Sequence, residues 1–273
     1  MRRSVKDKVV VITGASSGIG LSCARAFFNR GARVVLAARS DEKIQTLKKE
    51  LNDKGEKRVI AVKTDVSVES DCKNLIAAAV ETFGGVDILL NNAGVSMRAN
   101  FADLDLNVIR RLMDVNFWGA VYCTKYAYPY IIASKGSIVG ISSVAAVHGM
   151  PGRTGYSASK YALEGFLETI RVETLKKGVH VMLVVPGFVS TNIRKAALTA
   201  DGSVQEESPR DESKMMPPEE LARRIIRGIE RGKRNITTSW EGRYTPFVNF
   251  FFPELVDNLY YNNMKKETNS PLD

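Results

Sequence analysis

The chain has 273 residues, 44% of them hydrophobic and 25% charged, and a formal net charge of +9. That apolar share is enough to bury a substantial core. No apolar run reaches the roughly 18 residues of a membrane-spanning helix, and the first residues lead into a strand-like segment without an apolar leader, so a cytoplasmic protein is expected. Basic charge attracts polyanions, but no recognised nucleic-acid-binding motif accompanies it and no such partner is expected; Arg223, Arg224, Arg227, Arg231, Lys233 and Arg234 read as one solvated helix face running into a strand.

Strand-like runs are expected at 9–12, 33–37, 59–62, 87–90, 137–141, 179–185 and 235–238, each but the last followed by a helix-length segment. The first passes through Thr13-Gly-Ala-Ser-Ser-Gly-Ile-Gly20 into a helix that stops at Asn29-Arg30-Gly31. Asn91-Asn92-Ala93-Gly94 follows the fourth, and one long helix is expected over 105–132. A second long helix is expected over 156–176. The sixth strand leads into Pro186-Gly187-Phe188-Val189-Ser190-Thr191 and a polar segment, 192–218. This alternation predicts an α/β fold: a single Rossmann-type doubly wound parallel sheet of about seven strands, flanked by helices.

Two patterns carry chemistry. Gly14, Gly18 and Gly20 let the backbone turn tightly and approach a pyrophosphate, which the free N–H groups at a helix start can bind. Tyr156 and Lys160 stand four apart, so a phenol and an ammonium share one helix face, and a fixed cation beside a phenol is expected to lower its pKa toward the working range. The second strand ends Ala37-Ala38-Arg39-Ser40: where a carboxylate would hold a ribose 2′-hydroxyl there is a guanidinium, which favours NADP. Cys23, Cys72 and Cys123 lack metal-ligand spacing and read as reduced thiols. His148 reads as a hydrated loop residue, and two separated histidines, His148 and His180, support no metal site.

Taken in order, the glycine turn, Asp65-Val66, Asn91-Asn92-Ala93-Gly94, Asn116, Ser143, Tyr156-x-x-x-Lys160 and Pro186-Gly187 resemble the short-chain dehydrogenase/reductase family over residues 7–240. The resemblance implies a catalytic set of Asn116, Ser143, Tyr156 and Lys160. It implies that NADP(H) is held by Gly14, Ser16, Ser17, Gly18, Ile19 and Gly20 at the turn, by Arg39 and Ser40, by Asp65 and Val66 beside the adenine, and by Asn92, Ala93 and Gly94. Tyr156 and Lys160 also border the cofactor, as do Pro186, Gly187, Val189 and Thr191 near the nicotinamide. Relatives often place a basic residue in the glycine turn, where this chain has Ser16 and Ser17.

Only one of the adjacent extended residues Ser142 and Ser143 can face a cleft, and the family's spacing implies that it is Ser143. Asn116 is expected to hold a backbone kink and a water that links Lys160 to solvent. Residues 1–243 are expected to form the dinucleotide-binding catalytic domain, with a substrate lid near 192–218, and 244–273 a C-terminal extension of it. The expected activity is hydride transfer between NADP(H) and a lipophilic, steroid-like ketone or secondary alcohol. Alternatives are a 3-oxoacyl-carrier-protein reductase and a non-catalytic NADP(H)-binding sensor. A homodimer or homotetramer is expected on the 105–132 and 156–176 helices, which the family pairs across a two-fold axis. In the extension, Phe247, Phe250, Phe251, Phe252, Leu255, Leu259, Tyr260 and Tyr261 are expected to pack or join subunits ahead of touching a membrane surface.

Overall fold

A computed structural model describes residues 3–53, 57–208, 212 and 215–272; Met1, Arg2 and residues 209–211, 213 and 214 of the expected lid lie outside the described residues. Seven strands, β1 (Val9–Thr13), β2 (Arg33–Ala38), β3 (Val59–Lys63), β4 (Ile88–Asn91), β5 (Ser137–Ile141), β6 (His180–Val185) and β7 (Asn235–Thr237), form one parallel sheet in the order β3-β2-β1-β4-β5-β6-β7. The central strands are apolar runs buried on both faces, as a sheet covered by helices on both sides requires.

Helices α1 (Gly18–Asn29), α2 (Asp41–Asn52) and α7 (Pro218–Glu230) bury Phe27, Leu47 and Ile225 against one face of the sheet. Helices α3 (Glu69–Phe83), α5 (Gly119–Ala133) and α6 (Thr154–Glu173) bury Leu75, Ile131 and Leu167 against the other. The chain winds outward from β1 to β3, returns to β4 and proceeds the other way. A crevice therefore opens at the carboxyl ends of β1 and β4, where doubly wound sheets hold ligands.

Three expectations about elements are corrected. The single helix over 105–132 is α4 (Leu106–Met113), a π-helical turn at Asp114–Trp118, and α5. The helix over 156–176 begins at Thr154 and ends at Glu173, followed by a 3-10 turn, Leu175–Lys177. The last strand is followed by two helices, α8 (Trp240–Phe251) and α9 (Pro253–Lys265), divided at Pro253, whose missing N–H suits a helix start.

Gly242, Thr245, Val256 and Met264 are buried, whereas Trp240, Phe247, Phe250 and Phe252 are each more than 60% exposed. Packing therefore accounts for only a minority of the aromatic side chains in this extension. Its end returns to the body: Arg98 pairs with Glu267 and donates to the Thr268 carbonyl. His148 meets Asp257 at 3.1 Å and lies against the Tyr260 ring, so it is a contact residue between α9 and the segment that follows β5 rather than a hydrated one. The arginines of α7 are solvated, as expected. All three cysteines are free and buried.

Candidate active site

The glycine turn is shaped by two close approaches. Gly14 has φ +67°, and a Cβ there would lie 2.9 Å from the Ala93 Cα; a Cβ on Gly20 would lie 2.2 Å from the Gly14 carbonyl oxygen. Only glycine brings the ends of β1, α1 and β4 this close. Thr13, 2% exposed at the end of β1, fastens them: its Oγ1 accepts from the N–H groups of Asn92 and Ala93, each at 3.0 Å, and the Asn92 amide donates to the Thr13 carbonyl at 2.8 Å. Ser17 caps α1 by backbone geometry without a side-chain bond, and the first turn holds no acidic residue. The helix start thus presents uncapped N–H donors toward the turn, a fit for phosphate.

From this turn a cleft of about 480 Å³ runs across the crevice. Gly14, Ser16, Ser17, Gly18 and Ile19 line it from the turn, Arg39 and Ser40 after β2, Asp65 and Val66 after β3, and Asn92, Ala93 and Gly94 after β4. Ser143, Tyr156 and Lys160 line it from the end of β5 and from α6, and Pro186, Gly187, Val189 and Thr191 after β6, with Thr191 against Gly18 and Lys160 near Gly94. Gly20 and Asn116 stand behind the wall. Arg39 is exposed, and among the described residues no ion pair engages it. Asp65 Oδ1 accepts from the N–H and hydroxyl of Ser67.

Asn116 lies in the π turn and is 1% exposed. Its Oδ1 accepts from the Val95 N–H at 2.8 Å, and its Nδ2 donates to the Val95 carbonyl at 2.9 Å and to Ser159 Oγ at 2.8 Å. The side chain therefore joins the π turn to the segment after β4 and to α6. That turn is the expected kink, and π turns recur at functional sites.

Lys160 is 3% exposed, and its Nζ donates to the Ile141 carbonyl at 2.9 Å. Burial pushes its ammonium down to about 8, with the Glu164 charge opposing. Tyr156 is buried and lines the cleft together with Ser143. Burial raises its pKa; the Ser143 hydroxyl and the charges of Arg153 and Arg194 pull the other way. The expectation of a phenol lowered by Lys160 is thus corrected in direction, because desolvation outweighs the nearby cations.

Arg153 and Arg194 were not singled out from the sequence. Arg153 precedes Tyr156 by one helical turn and donates to Ser96 Oγ and the Met97 carbonyl, each at 2.9 Å; its spacing from the tyrosine was the available signal. Arg194, three residues past Thr191, is 8% exposed, donates to the Val189 carbonyl at 2.9 Å and pairs with Glu212 at 3.1 Å. Nothing in a loop sequence marks it. Met216 pairs its backbone with Phe188 and Ser190, so the described lid residues are fastened to the loop after β6. Val144, Met150, Ala196, Leu198 and Val204 give the cleft apolar walls.

A profile of the family described as short chain dehydrogenase matches residues 8–201. The chain is 38% identical over 262 residues to 11-beta-hydroxysteroid dehydrogenase A of Sesamum indicum, covering 94% of this chain and 75% of that one. It is 34% identical over 274 residues to dehydrogenase/reductase SDR family member 7B of Danio rerio, covering 98% and 89%. Among solved structures, a short chain dehydrogenase/reductase from Burkholderia phymatum in complex with NAD superposes with a TM-score of 0.82 at 26% identity, covering 93% of this chain and 96% of that one.

Proposed function

The chain belongs to the short-chain dehydrogenase/reductase family, and from that premise we propose that it transfers hydride between NADP(H) and a lipophilic ketone or secondary alcohol. The observation that carries the reading is the joining of a glycine-shaped phosphate cradle to Ser143, Tyr156 and Lys160 by one continuous cleft. The nicotinamide, when bound, supplies or accepts the hydride.

In reduction, Tyr156 gives its hydroxyl proton to the oxygen that becomes an alkoxide, and Ser143 donates a hydrogen bond to the same oxygen. The Lys160 ammonium stabilises the phenolate left on Tyr156 and holds the nicotinamide ribose, and Asn116 keeps the π turn in place for a water through which a proton returns from solvent by way of Lys160 to Tyr156. Oxidation runs through the same groups in reverse. Arg39 supports NADP, because a guanidinium matches a 2′-phosphate that a carboxylate would repel. The apolar walls at Val144, Met150, Leu198 and Val204 support a lipophilic substrate, as do relatives named hydroxysteroid dehydrogenases.

The test is a panel of ketones and secondary alcohols, with steroids and 3-oxoacyl thioesters among them, followed by NADPH absorbance. Turnover of apolar ketones is expected. Preference for carrier-bound 3-oxoacyl groups would move the substrate to the carrier-protein class, and NADPH binding without turnover of any member would leave a sensor.

A further inference from the structure

Tyr156, Lys160 and Glu164 succeed one another at intervals of four along α6 and form one stripe, a turn apart. The first two belong to the proton-transfer site; the third has no role in the mechanism above. Glu164 Oε1 accepts a 2.5 Å hydrogen bond from the hydroxyl of Ser142, a residue 2% exposed at the end of β5. Its neighbour bonds to the same stripe: the Ile141 carbonyl accepts from Lys160 Nζ at 2.9 Å. Two consecutive residues, 141 and 142, are thus matched to two successive turns of α6. A hydroxyl bonded to a carboxylate is charge-assisted and among the stronger hydrogen bonds, so the Ser142 contact is fit to act as a clamp.

The same carboxylate acts on Lys160 through space. Glu164 is the charge that opposes the effect of burial on the ammonium. Glu164 is itself pushed up by burial, eased by the Ser142 bond and by Lys160 and Arg171, and pushed further by Glu168. Tyr161 on α6 feels Glu164 in turn, and Arg234, beside β7, acts on Arg171. Toward the π turn, Lys160 Nζ and the neutral amide of Asn116 both lie against Gly94, and toward β5 its partner is the Ile141 carbonyl.

We propose that Glu164 is a positioning residue for the Tyr156–Lys160 pair: it provides the counter-charge of the buried ammonium and, through Ser142, clamps the end of β5 that carries both Ser143 and the acceptor of Lys160. The inference rests on the roles of Tyr156 and Lys160 given under the proposed function, and it adds a residue that does not touch substrate.

The test uses the full chain with two variants. Glu164→Gln keeps an oxygen acceptor for Ser142 and removes the charge; Ser142→Ala removes the clamp and keeps the charge. Lys160 is followed by NMR of its ε-carbon across pH, which needs no turnover, and ketone reduction is followed in parallel. Glu164→Gln is expected to lower the Lys160 midpoint by about one pH unit and to carry the basic limb of kcat/KM down with it. Ser142→Ala is expected to lower kcat several-fold at all pH values while the KM for NADPH stays unchanged.

Glu164→Asp, which retains the charge, should restore most of the midpoint, and it carries the counter-charge test if the glutamine variant does not fold. A Lys160 midpoint unmoved by Glu164→Gln, or equally lowered by Glu164→Asp, overturns the counter-charge; wild-type kcat in Ser142→Ala overturns the clamp. If the wild-type protein reduces no ketone, the proposed function fails, while the NMR titration still decides whether Glu164 governs Lys160.

Discussion

The ammonium nitrogen of Lys160 lies 5.8 Å from the centre of the Tyr156 ring, and its hydrogen bond goes to the Ile141 carbonyl. The lysine is therefore a neighbour of the ring, held in place from the sheet, and the phenol oxygen is left to Ser143 and the cleft. This arrangement separates two roles: Tyr156 loses its function with its hydroxyl, whereas Lys160 serves the ring, the strand end and, in the proposed mechanism, the ribose.

Tyr156→Phe is expected to abolish turnover and leave NADPH affinity nearly unchanged, since the ring still fills its place. Lys160→Met is expected to damage both. Steady-state rates and cofactor titrations on the two variants check this. Retention of a tenth of the wild-type rate by the phenylalanine variant, about 1.4 kcal/mol of barrier, would assign the acid to another group.

The pH profile of ketone reduction follows from the two buried groups. Tyr156 is raised above its ordinary 10.0, so it stays in the acid form that reduction requires throughout the neutral range. Lys160 is lowered from 10.5 to about 8, so the ammonium is present below that pH and lost above it. A single basic limb centred near pH 8 is expected in kcat/KM, with activity level at lower pH. A limb that appears only near the ordinary lysine value would show that the ammonium is not desolvated in the working enzyme.

Under the proposed function, Arg39 is expected to govern the choice between the two nicotinamide cofactors. NADPH is expected to bind more tightly than NADH, and Arg39→Ala to weaken NADPH by about tenfold or more, the scale of one charge-assisted hydrogen bond, with little effect on NADH. Titration of both cofactors into both proteins decides it. Equal affinity in the unmodified protein removes the assignment.

Gly20→Ala places a methyl 2.2 Å from a backbone oxygen that no side-chain motion can relieve. A loss of about 1–3 kcal/mol in stability and a larger loss in cofactor affinity are expected, because the turn must open to admit the methyl. Thermal melting and NADPH titration measure the two. An alanine variant that melts and binds like wild type would mean that the cradle is looser than its contacts imply.

The sheet and the glycine turn were legible in the sequence because they depend on local rules: apolar runs bounded by turns make strands, and glycines mark backbone approaches. The placement of Tyr156 and Lys160 on one helix was legible through their spacing, whereas Ser143 and Asn116 were reached only through the family resemblance. Other features were not. The π turn at Asp114–Trp118 leaves the apolar pattern of a helix nearly unchanged, so its one-residue insertion shows in the backbone, where the Gly119 N–H donates to the Asp114 carbonyl. The direction of the Tyr156 shift depends on burial, which four-residue spacing does not report. Arg194 reaches the site from a loop whose course is set by contacts with Val189 and Glu212, distant from any periodic pattern.

The last expectation concerns assembly. Of the apolar residues on the two helices expected to pair, Leu112, Leu163 and Leu167 are buried in the protein's own core. Leu106, Trp118, Tyr130, Tyr161 and Val172 are not: they remain exposed on α4, the π turn, α5 and α6, on the side of those elements turned away from the sheet. A patch of this kind marks an interaction surface, and a patch that meets its own copy closes a two-fold dimer. The partner would brace α6, which carries Tyr156, Lys160 and Glu164, so assembly and active-site geometry would be coupled. A dimer or a tetramer containing it is expected by light scattering at micromolar concentration. Tyr161→Glu, which places a charge within the patch, is expected to shift the mass toward the 30.1 kDa monomer and to lower turnover with it. A wild-type protein that is monomeric and fully active would refute the coupling.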